Sequence, residues 1–432
     1  MRKLSTNARI LNQIDRSVGA TFCFLLTAWR QLSGGGSSSK VHFKPRSILL
    51  LKLAEQGSTV LAYEAIRQAV KRVGAENVYF LLFEENRFIL DLLELVPPNN
   101  ILTIRTHSAF TMAVSCLQRL RQIRARRIDA CVDMEFFARS TAVIAYLTGA
   151  RIRVGFHAYF GEGPYRGDLM THRLIYNPYF HCSDTFTSLI QALDIISPQD
   201  FPTFHVKPEP YVPPPLLRIS NEKRIEVEHL IATASEGSAG PLILLNANAS
   251  DLLPLRRWKL ENYLELAKRI LSTFPSIQVA FTGAPDEAEK SQHLARAVQS
   301  PRCFSLAGKT TLHQLLIVYQ LAEVLITNDS GPAHFAALTN IDVITLFGPE
   351  TPLLFGSPSP RNHNLWAGIA CSPCINALNN RQTKCNNNVC MQMLSVDLVF
   401  ETLYRVLQKR STLLKESAVP EQNFGELNIS VN

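Results

Sequence analysis

From Ser47 onward the chain alternates short, continuous apolar runs with longer segments whose apolar residues recur at helical spacing. Ser47–Lys52 (SILLLK) is apolar between its ends, as a strand covered on both faces would be. Gly57-Ser58 then opens Thr59–Val73, where Val60, Leu61, Ala65, Ile66, Ala69 and Val70 form one helical stripe. Val78–Phe83 and Ile128–Val132 read as further strands, the second ahead of a helix near Ser140–Leu147. The pattern stops at Lys207–Pro215 (KPEPYVPPP), because three consecutive prolines favour a stiff extended connector. Beyond it the alternation restarts with strands at Leu242–Asn246, Ile277–Thr282, Val324–Thr327 and Val343–Phe347. The helices between and around them are expected at Leu260–Phe274, Pro285–Val298, Thr311–Gln320 and Ala333–Thr339. Two successive blocks of this kind predict two doubly wound, parallel-sheet α/β domains facing a central cleft. The expected divisions are an arm at 1–45, a first domain at 46–207, a linker at 208–219, a second domain at 220–410 and a polar tail at 411–432.

Composition narrows the class. Hydrophobic residues are 46% and charged residues 19% of the chain, too apolar for disorder, and 20 Gly with 24 Pro excludes a collagen-like repeat. No apolar run approaches the length of a membrane span, and nine unevenly spaced cysteines do not make a disulfide scaffold. The net charge of +8 suggests nucleic acid until it is located: residues 1–46 hold eight basic side chains against Asp15 alone. The basicity therefore belongs to the arm, and no nucleic-acid partner is expected. Within the arm, Ser17–Trp29 (SVGATFCFLLTAW) is flanked by Arg16 and Arg30. It reads as a signal peptide with a poor cleavage site, as an amphipathic docking helix, or as a membrane-surface anchor through residues 1–40 in which Phe22, Phe24 and Trp29 sit beside basic flanks. Ser33–Ser39 (SGGGSSS) reads as a flexible tether, and nothing before about residue 45 is expected to join the catalytic fold. Arg119, Arg121, Arg124, Arg126 and Arg127 crowd one helix and its end, as a solvated face or a surface for acidic ligands.

Ligands of doubly wound sheets sit at the carboxyl ends of strands, so four loops carry the candidate chemistry. In Lys52–Ser58 (KLAEQGS), Gly57 permits close backbone approach and Glu55 is placed to act as a general base or to serve as a cap. In Asn246–Ser250, the amides of Asn246 and Asn248 suit sugar or phosphate oxygens. Arg256 and Arg257 follow with planar donor forks for a diphosphate, or for a surface contact on Trp258. Asn328, Asp329, Ser330, Gly331 and His334 gather where a strand gives way to a helix, more polar chemistry than an N-cap requires. Phe347–Pro352, with Gly348, would close the pocket from one side. Cys371, Cys374, Cys385 and Cys390 have spacing within the range of structural zinc, or form a packed or redox-closing loop. Cys23, Cys116, Cys131, Cys182 and Cys303 lie in apolar contexts and read as buried small hydrophobes.

The TNDSGPAH segment, followed by a helix and VITLFGPETP, resembles the donor-binding signature of the heptosyltransferases of bacterial lipopolysaccharide assembly, glycosyltransferase family 9. KLAEQGS, NANAS…RRW and the turn at Phe281–Glu289 (FTGAPDEAE, with Gly283) are similar in order and spacing, over roughly residues 45–410. The resemblance implies a GT-B fold of two Rossmann-like domains, with a nucleotide-sugar held mainly by the second. It also implies inverting, metal- and cofactor-independent transfer from a nucleotide-diphospho-sugar such as ADP-heptose to a lipid-linked or glycan acceptor. The setting it implies is peripheral, on the cytoplasmic face of the inner membrane. Asp329, Ser330, Gly331 and His334 match the donor-site positions, Arg256 the basic residue at the donor phosphates, and Gly57 the N-terminal-loop glycine. At Ser58 the family usually has a catalytic Asp. A serine is no equivalent base, so either Glu55 has taken over, or the chain transfers poorly, or it transfers something else. The rival readings are a silent sugar-nucleotide-binding protein of an assembly complex and a nucleotide-sugar epimerase or hydrolase on the same fold.

Overall fold

The computed structural model describes residues 15–33, 44–195 apart from 160 and 162, 206–249 apart from 208 and 209, and 253–417 apart from 380, with side chains through 410. The distal arm, the tether and the end of the tail lie outside the described residues. Among the described residues twelve strands form two six-stranded sheets, parallel throughout. The first holds β1 (Ile48–Leu51), β2 (Val78–Phe83), β3 (Ile101–Ile104), β4 (Ala130–Asp133), β5 (Ile152–Phe156) and β6 (His172–Leu174), in the order β3-β2-β1-β4-β5-β6. The second holds β7 (Leu242–Asn246), β8 (Gln278–Phe281), β9 (Cys303–Ser305), β10 (Val324–Asn328), β11 (Asp342–Phe347) and β12 (Asn362–Trp366), in the order β12-β11-β10-β7-β8-β9. Each sheet is therefore a Rossmann-type half whose chain direction reverses beside its first strand. That reversal is the switch point where ligands bind, between β1 and β4 in one sheet and β7 and β10 in the other.

The central strands β1, β4, β7, β10 and β11 are buried at every position, which is why they read as unbroken apolar runs. The helix expected from Thr59 starts earlier, at Gln56, and is interrupted at Ala62 before Tyr63–Val73. The helix expected at Ala333–Thr339 is a single turn, Gly331–Phe335, followed by a 3-10 turn. The long C-terminal helix Val396–Ser417 continues past the expected boundary at 410, with Arg410 paired to Glu323 and Asp342 on the second domain.

The arm corrects the sequence reading most. Ala20–Leu32 is a helix preceded by a π-turn, and it docks on the first domain instead of standing apart from the fold. Asp15 accepts hydrogen bonds from the backbone N–H groups of Arg139 (3.1 Å) and Ser140 (2.7 Å), satisfying free donors at the start of helix Arg139–Leu147. Cys23 is fully buried, and Thr27 accepts from the backbone N–H of Asp168 at 2.9 Å. Gly167, at φ +69°, lets the helix approach: a Cβ there would lie 2.6 Å from the Thr27 hydroxyl. Parallel strands need a long crossover, usually a helix. No helix forms between β5 and β6 among the described residues, and the arm's helix covers that region. Arg30, expected to flank a lipid-facing segment, is instead paired with Asp168.

Candidate active site

The two switch points meet across the cleft. The loop after β1 brings Glu55 in with a left-handed backbone (φ +67°, ψ +81°), a conformation uncommon for a Glu and of the kind found at functional sites. Two residues on, Gly57 lies against the loop after β10. A Cβ on Gly57 would sit 2.7 Å from Cδ2 of His334 and 3.4 Å from Cα of Gly331. Glycine is needed here because another domain's loop occupies the space a side chain would take. The structure thus brings together two segments that lie almost 280 residues apart in sequence.

At this junction five ionisable side chains alternate between acid and base. Glu55 pairs with Arg381 across the domains, and Ser58 Oγ donates to the Glu55 carbonyl at 2.9 Å while lying 3.3 Å from its carboxylate. Arg381 Nε lies 3.7 Å from Glu350, and Glu350 pairs on its other side with Arg256. Arg256 donates to the Asp329 carbonyl at 3.2 Å, with Nε 3.6 Å from the Asp329 carboxylate. Four buried polar atoms here have no hydrogen-bond partner: Arg256 Nε, Asp329 Oδ2, Glu350 Oε1 and His334 Nδ1. Native interiors leave few such atoms, so their concentration at one junction marks a place built for a polar ligand or ordered water.

Burial governs the protonation states. It pushes the Glu350 carboxyl up, to about 8, against the pull of Arg256 and with the help of Asp329. Burial would lower Arg256, but Asp329 and Glu350 more than offset it and hold the guanidinium charged. Burial lowers Arg381 to about 10, which still leaves it a cation at neutral pH. His334 is pushed down to about 4 by burial, with Arg256 and His181 adding to the effect and Asp329 opposing it. At neutral pH His334 is therefore an uncharged hydrogen-bonding group, and the positive charge of the site comes from arginine.

The remaining sequence candidates sit behind this junction or beside it. Asn328 is fully buried; its side chain accepts from Trp258 N–H (3.0 Å) and donates to the Asn248 carbonyl (3.1 Å), bracing the loops after β7 and β10. Asn246 donates to Thr282 at 3.3 Å and Asn248 to the Thr282 carbonyl at 3.5 Å, so both amides are used inside the domain. Arg257 turns away from Arg256 and donates to the Ala249 carbonyl at 2.8 Å. Ser330 donates to the Asn328 carbonyl at 3.1 Å. Gly283 lets Asn248 and Glu287 close in, and Gly348 packs against Met391 and Cys390. Among the described residues no three metal-ligating side chains gather, and all nine cysteines are free thiols. Of the five read as buried hydrophobes, Cys116 is only partly covered.

Glu350 and Arg381 complete the site and were not selected from the sequence. Glu350 was visible in the loop after β11, where Thr351-Pro352 makes the segment look like an ordinary helix start. Arg381 lies in an irregular, cysteine-rich stretch with no strand end beside it, so only the tertiary fold reveals it.

The sequence pattern of glycosyltransferase family 9 (heptosyltransferase) matches residues 117–384. Lipopolysaccharide heptosyltransferase 2 of Salmonella typhimurium is 31% identical over 148 residues, covering 34% of this chain and 40% of that protein. The lipopolysaccharide core heptosyltransferase OpsX of Haemophilus influenzae is 22% identical over 315 residues, 72% of this chain and 81% of the relative. Among solved structures, ADP-heptose lipopolysaccharide heptosyltransferase II of Escherichia coli superposes with a TM-score of 0.64 at 19% identity, covering 84% of this chain and 99% of that one. A glycosyltransferase family 9 protein of Veillonella parvula gives 0.65 at 16% identity, covering 86% and 100%. These superpositions show the shared two-domain GT-B fold. With the family pattern spanning more than half of its length, from within the first domain through Arg381 at the junction, this chain is a member of glycosyltransferase family 9.

Proposed function

We propose that the protein is an inverting, metal-independent transferase that moves a heptose-like sugar from a nucleotide-diphospho-sugar to a lipopolysaccharide-type acceptor. The observation that carries the reading is the junction itself: two arginines interleaved with carboxylates at two facing switch points, with buried polar atoms left without partners. The named relatives support heptose as the sugar class and ADP as the nucleotide. In the reaction the donor diphosphate draws Arg256 and Arg381 onto its oxygens, which frees Glu55 from Arg381. Glu55 then takes the proton of an acceptor hydroxyl, that oxygen attacks the anomeric carbon, and the bond to the diphosphate breaks on the opposite face. The arginines stabilise the charge that develops on the leaving diphosphate, usually the largest contribution to such a reaction. Asp329 suits sugar hydroxyls, since its own charge would repel phosphate. A thermal-shift series over ADP-, UDP-, GDP- and TDP-sugars tests donor binding, because a ligand of the folded state raises the midpoint by mass action. ADP-sugars should give the largest shift, and no shift with any of them would refute the donor reading.

The same reading places the protein against the cytoplasmic face of the inner membrane. No helix among the described residues is long and apolar enough to cross a bilayer. The docked helix Ala20–Leu32 supplies a different contact: Val18, Phe22, Leu25, Trp29 and Leu32 follow one another at helical spacing and are all exposed, Trp29 at 66%. On helix Ala109–Ala125, Phe110, Val114 and Leu117 form a second exposed stripe ahead of Arg121. The inner sides of both helices contribute to one hydrophobic cluster on the first sheet, so both stripes belong to the outer layer of the same face. Exposed aromatics beside a basic arm fit an anionic lipid surface. Phe22→Asp combined with Trp29→Asp should cut binding to phosphatidylglycerol vesicles at least ~10-fold without lowering the thermal midpoint. Added salt should weaken wild-type binding. Unchanged vesicle binding by the double variant would refute this contact.

A further inference from the structure

The transfer reading leaves one group at the junction without a task. Glu350 is 1% exposed and stands between the two guanidinium groups that the donor would need. With Glu350 ionised, the row Glu55, Arg381, Glu350, Arg256 and Asp329 carries three negative charges and two positive ones. A diphosphate diester brings two more negative charges into that net −1 pocket. Like charges within a few ångströms in a poorly solvated site oppose one another strongly, so the ionised carboxylate and the diphosphate compete for the same arginines. A proton on Glu350 removes the competition. It neutralises the row, ends the hold of Glu350 on both guanidinium groups, and turns the unpartnered Glu350 Oε1 into a possible donor toward Asp329 or the ligand.

Resting on the donor reading above, we infer that Glu350 is a proton-operated positioning residue, which holds Arg256 and Arg381 in place while ionised and yields them to a nucleotide diphosphate when protonated. The groups facing Glu350 are Arg256 from the loop after β7, Asp329 from the loop after β10, Arg381 from the loop after β12, and Tyr176 and Cys182 from the first domain. None of the shifted neighbours competes for a proton near neutrality. Burial raises Cys182 to about 12 and Tyr176 further still, and Arg256 and Arg381 remain cations. His334, nearby, is lowered to about 4. Glu350, raised to about 8, is thus poised to change its charge just above neutral pH. In the structure both arginines are engaged by carboxyl groups, the geometry that the holding role requires. Binding in this scheme forms no covalent bond, and the proton comes from solvent.

The test uses the full chain with ADP-ribose and UDP-glucose, whose diphosphate diesters stay doubly ionised from pH 6 to 10. Isothermal titration in buffers of different ionisation enthalpy reads proton uptake directly. Below about pH 7 binding should be nearly proton-neutral and its affinity flat. Above about pH 8 it should take up close to one proton, and affinity should fall toward tenfold per pH unit. Glu350→Gln keeps the shape of the side chain without the titration. It should bind ADP-ribose with no proton uptake and with an affinity unchanged from pH 7 to 9, exceeding that of the wild type at the upper end. Wild-type binding at pH 9 without proton uptake would overturn the inference while leaving the donor reading intact, and needs no variant to fold. A Glu350→Gln profile that still falls with pH as the wild type's does would overturn it equally. Failure of both ligands to bind at any pH would overturn the donor reading and this inference with it.

Discussion

Glu55→Gln should cut turnover by about 10²–10⁴-fold while leaving donor affinity within a few fold of wild type. Gln keeps the side chain's reach and its hydrogen bonding but cannot take the acceptor proton. The geometry adds a refinement. Ser58 Oγ lies 3.3 Å from the Glu55 carboxylate, so a carboxylate introduced at position 58 would enter the same space and face the same Arg381. Ser58→Asp should therefore restore part of the activity lost in Glu55→Gln, whereas Ser58→Ala in the native background should cost less than the loss of Glu55. Steady-state rates with the correct donor and acceptor decide the matter. Full activity of Glu55→Gln would remove Glu55 from the mechanism.

Arg256→Met should abolish measurable donor binding and also destabilise the fold by about 3–5 kcal/mol, because it strips the cation from two buried carboxylates at once. Asp329 and Glu350 are 2% and 1% exposed, and neither has a second cation as near as Arg256. The pH dependence follows from the direction of the Glu350 shift. A carboxyl held above its unfolded value binds a proton that the unfolded chain gives up earlier, so stability is lost as pH rises from about 4.5 toward 8. Arg256→Met should carry that loss to still higher pH, because it removes the cation that opposes the Glu350 shift, and adding Glu350→Gln should recover much of the stability without recovering binding. His334 acts at the other end of the range. Its folded value near 4 lies below the unfolded one, so stability is lost as pH falls from about 6.5 through 4. Chemical denaturation at several pH values checks both slopes. If Arg256→Met proved as stable as wild type at pH 8, the buried row of charges would not be coupled as the structure shows it.

The fold could be read wherever a strand is buried on both faces. Val78–Phe83 and Leu242–Asn246 have the expected boundaries because a continuous apolar run has no alternative partner but the two helical layers. β5 was not legible: Ile152–Phe156 carries Arg153, which is accommodated by donating to the Leu169 and Ala150 carbonyls, contacts that no local pattern reveals. Docking of Ala20–Leu32 is one of three readings that the sequence leaves open, and nothing local in the segment shows which surface it meets. Its attachment rests on Asp15, Cys23 and Thr27 meeting residues more than a hundred positions away. In the site, Glu55, Gly57, Arg256, Asp329 and His334 were recognisable because they follow strands, where the fold class places ligands. Arg381 follows no such rule. Asn246, Asn248 and Asn328 show the opposite case, since they stand at strand ends yet spend their amides on holding the loops together.

The central claim is transfer at the junction of the two sheets, and acceptor-dependent release of nucleotide tests it most directly. The full chain, incubated with ADP-heptose and a heptose-deficient lipopolysaccharide core, should release ADP slowly without acceptor and much faster with it. The product should carry an inverted anomeric linkage, and the acceptor-dependent rate should vanish in Glu55→Gln. Tight binding of ADP-heptose with no acceptor-dependent release, whatever core structure is supplied, would contradict the account and identify the chain as a binding protein.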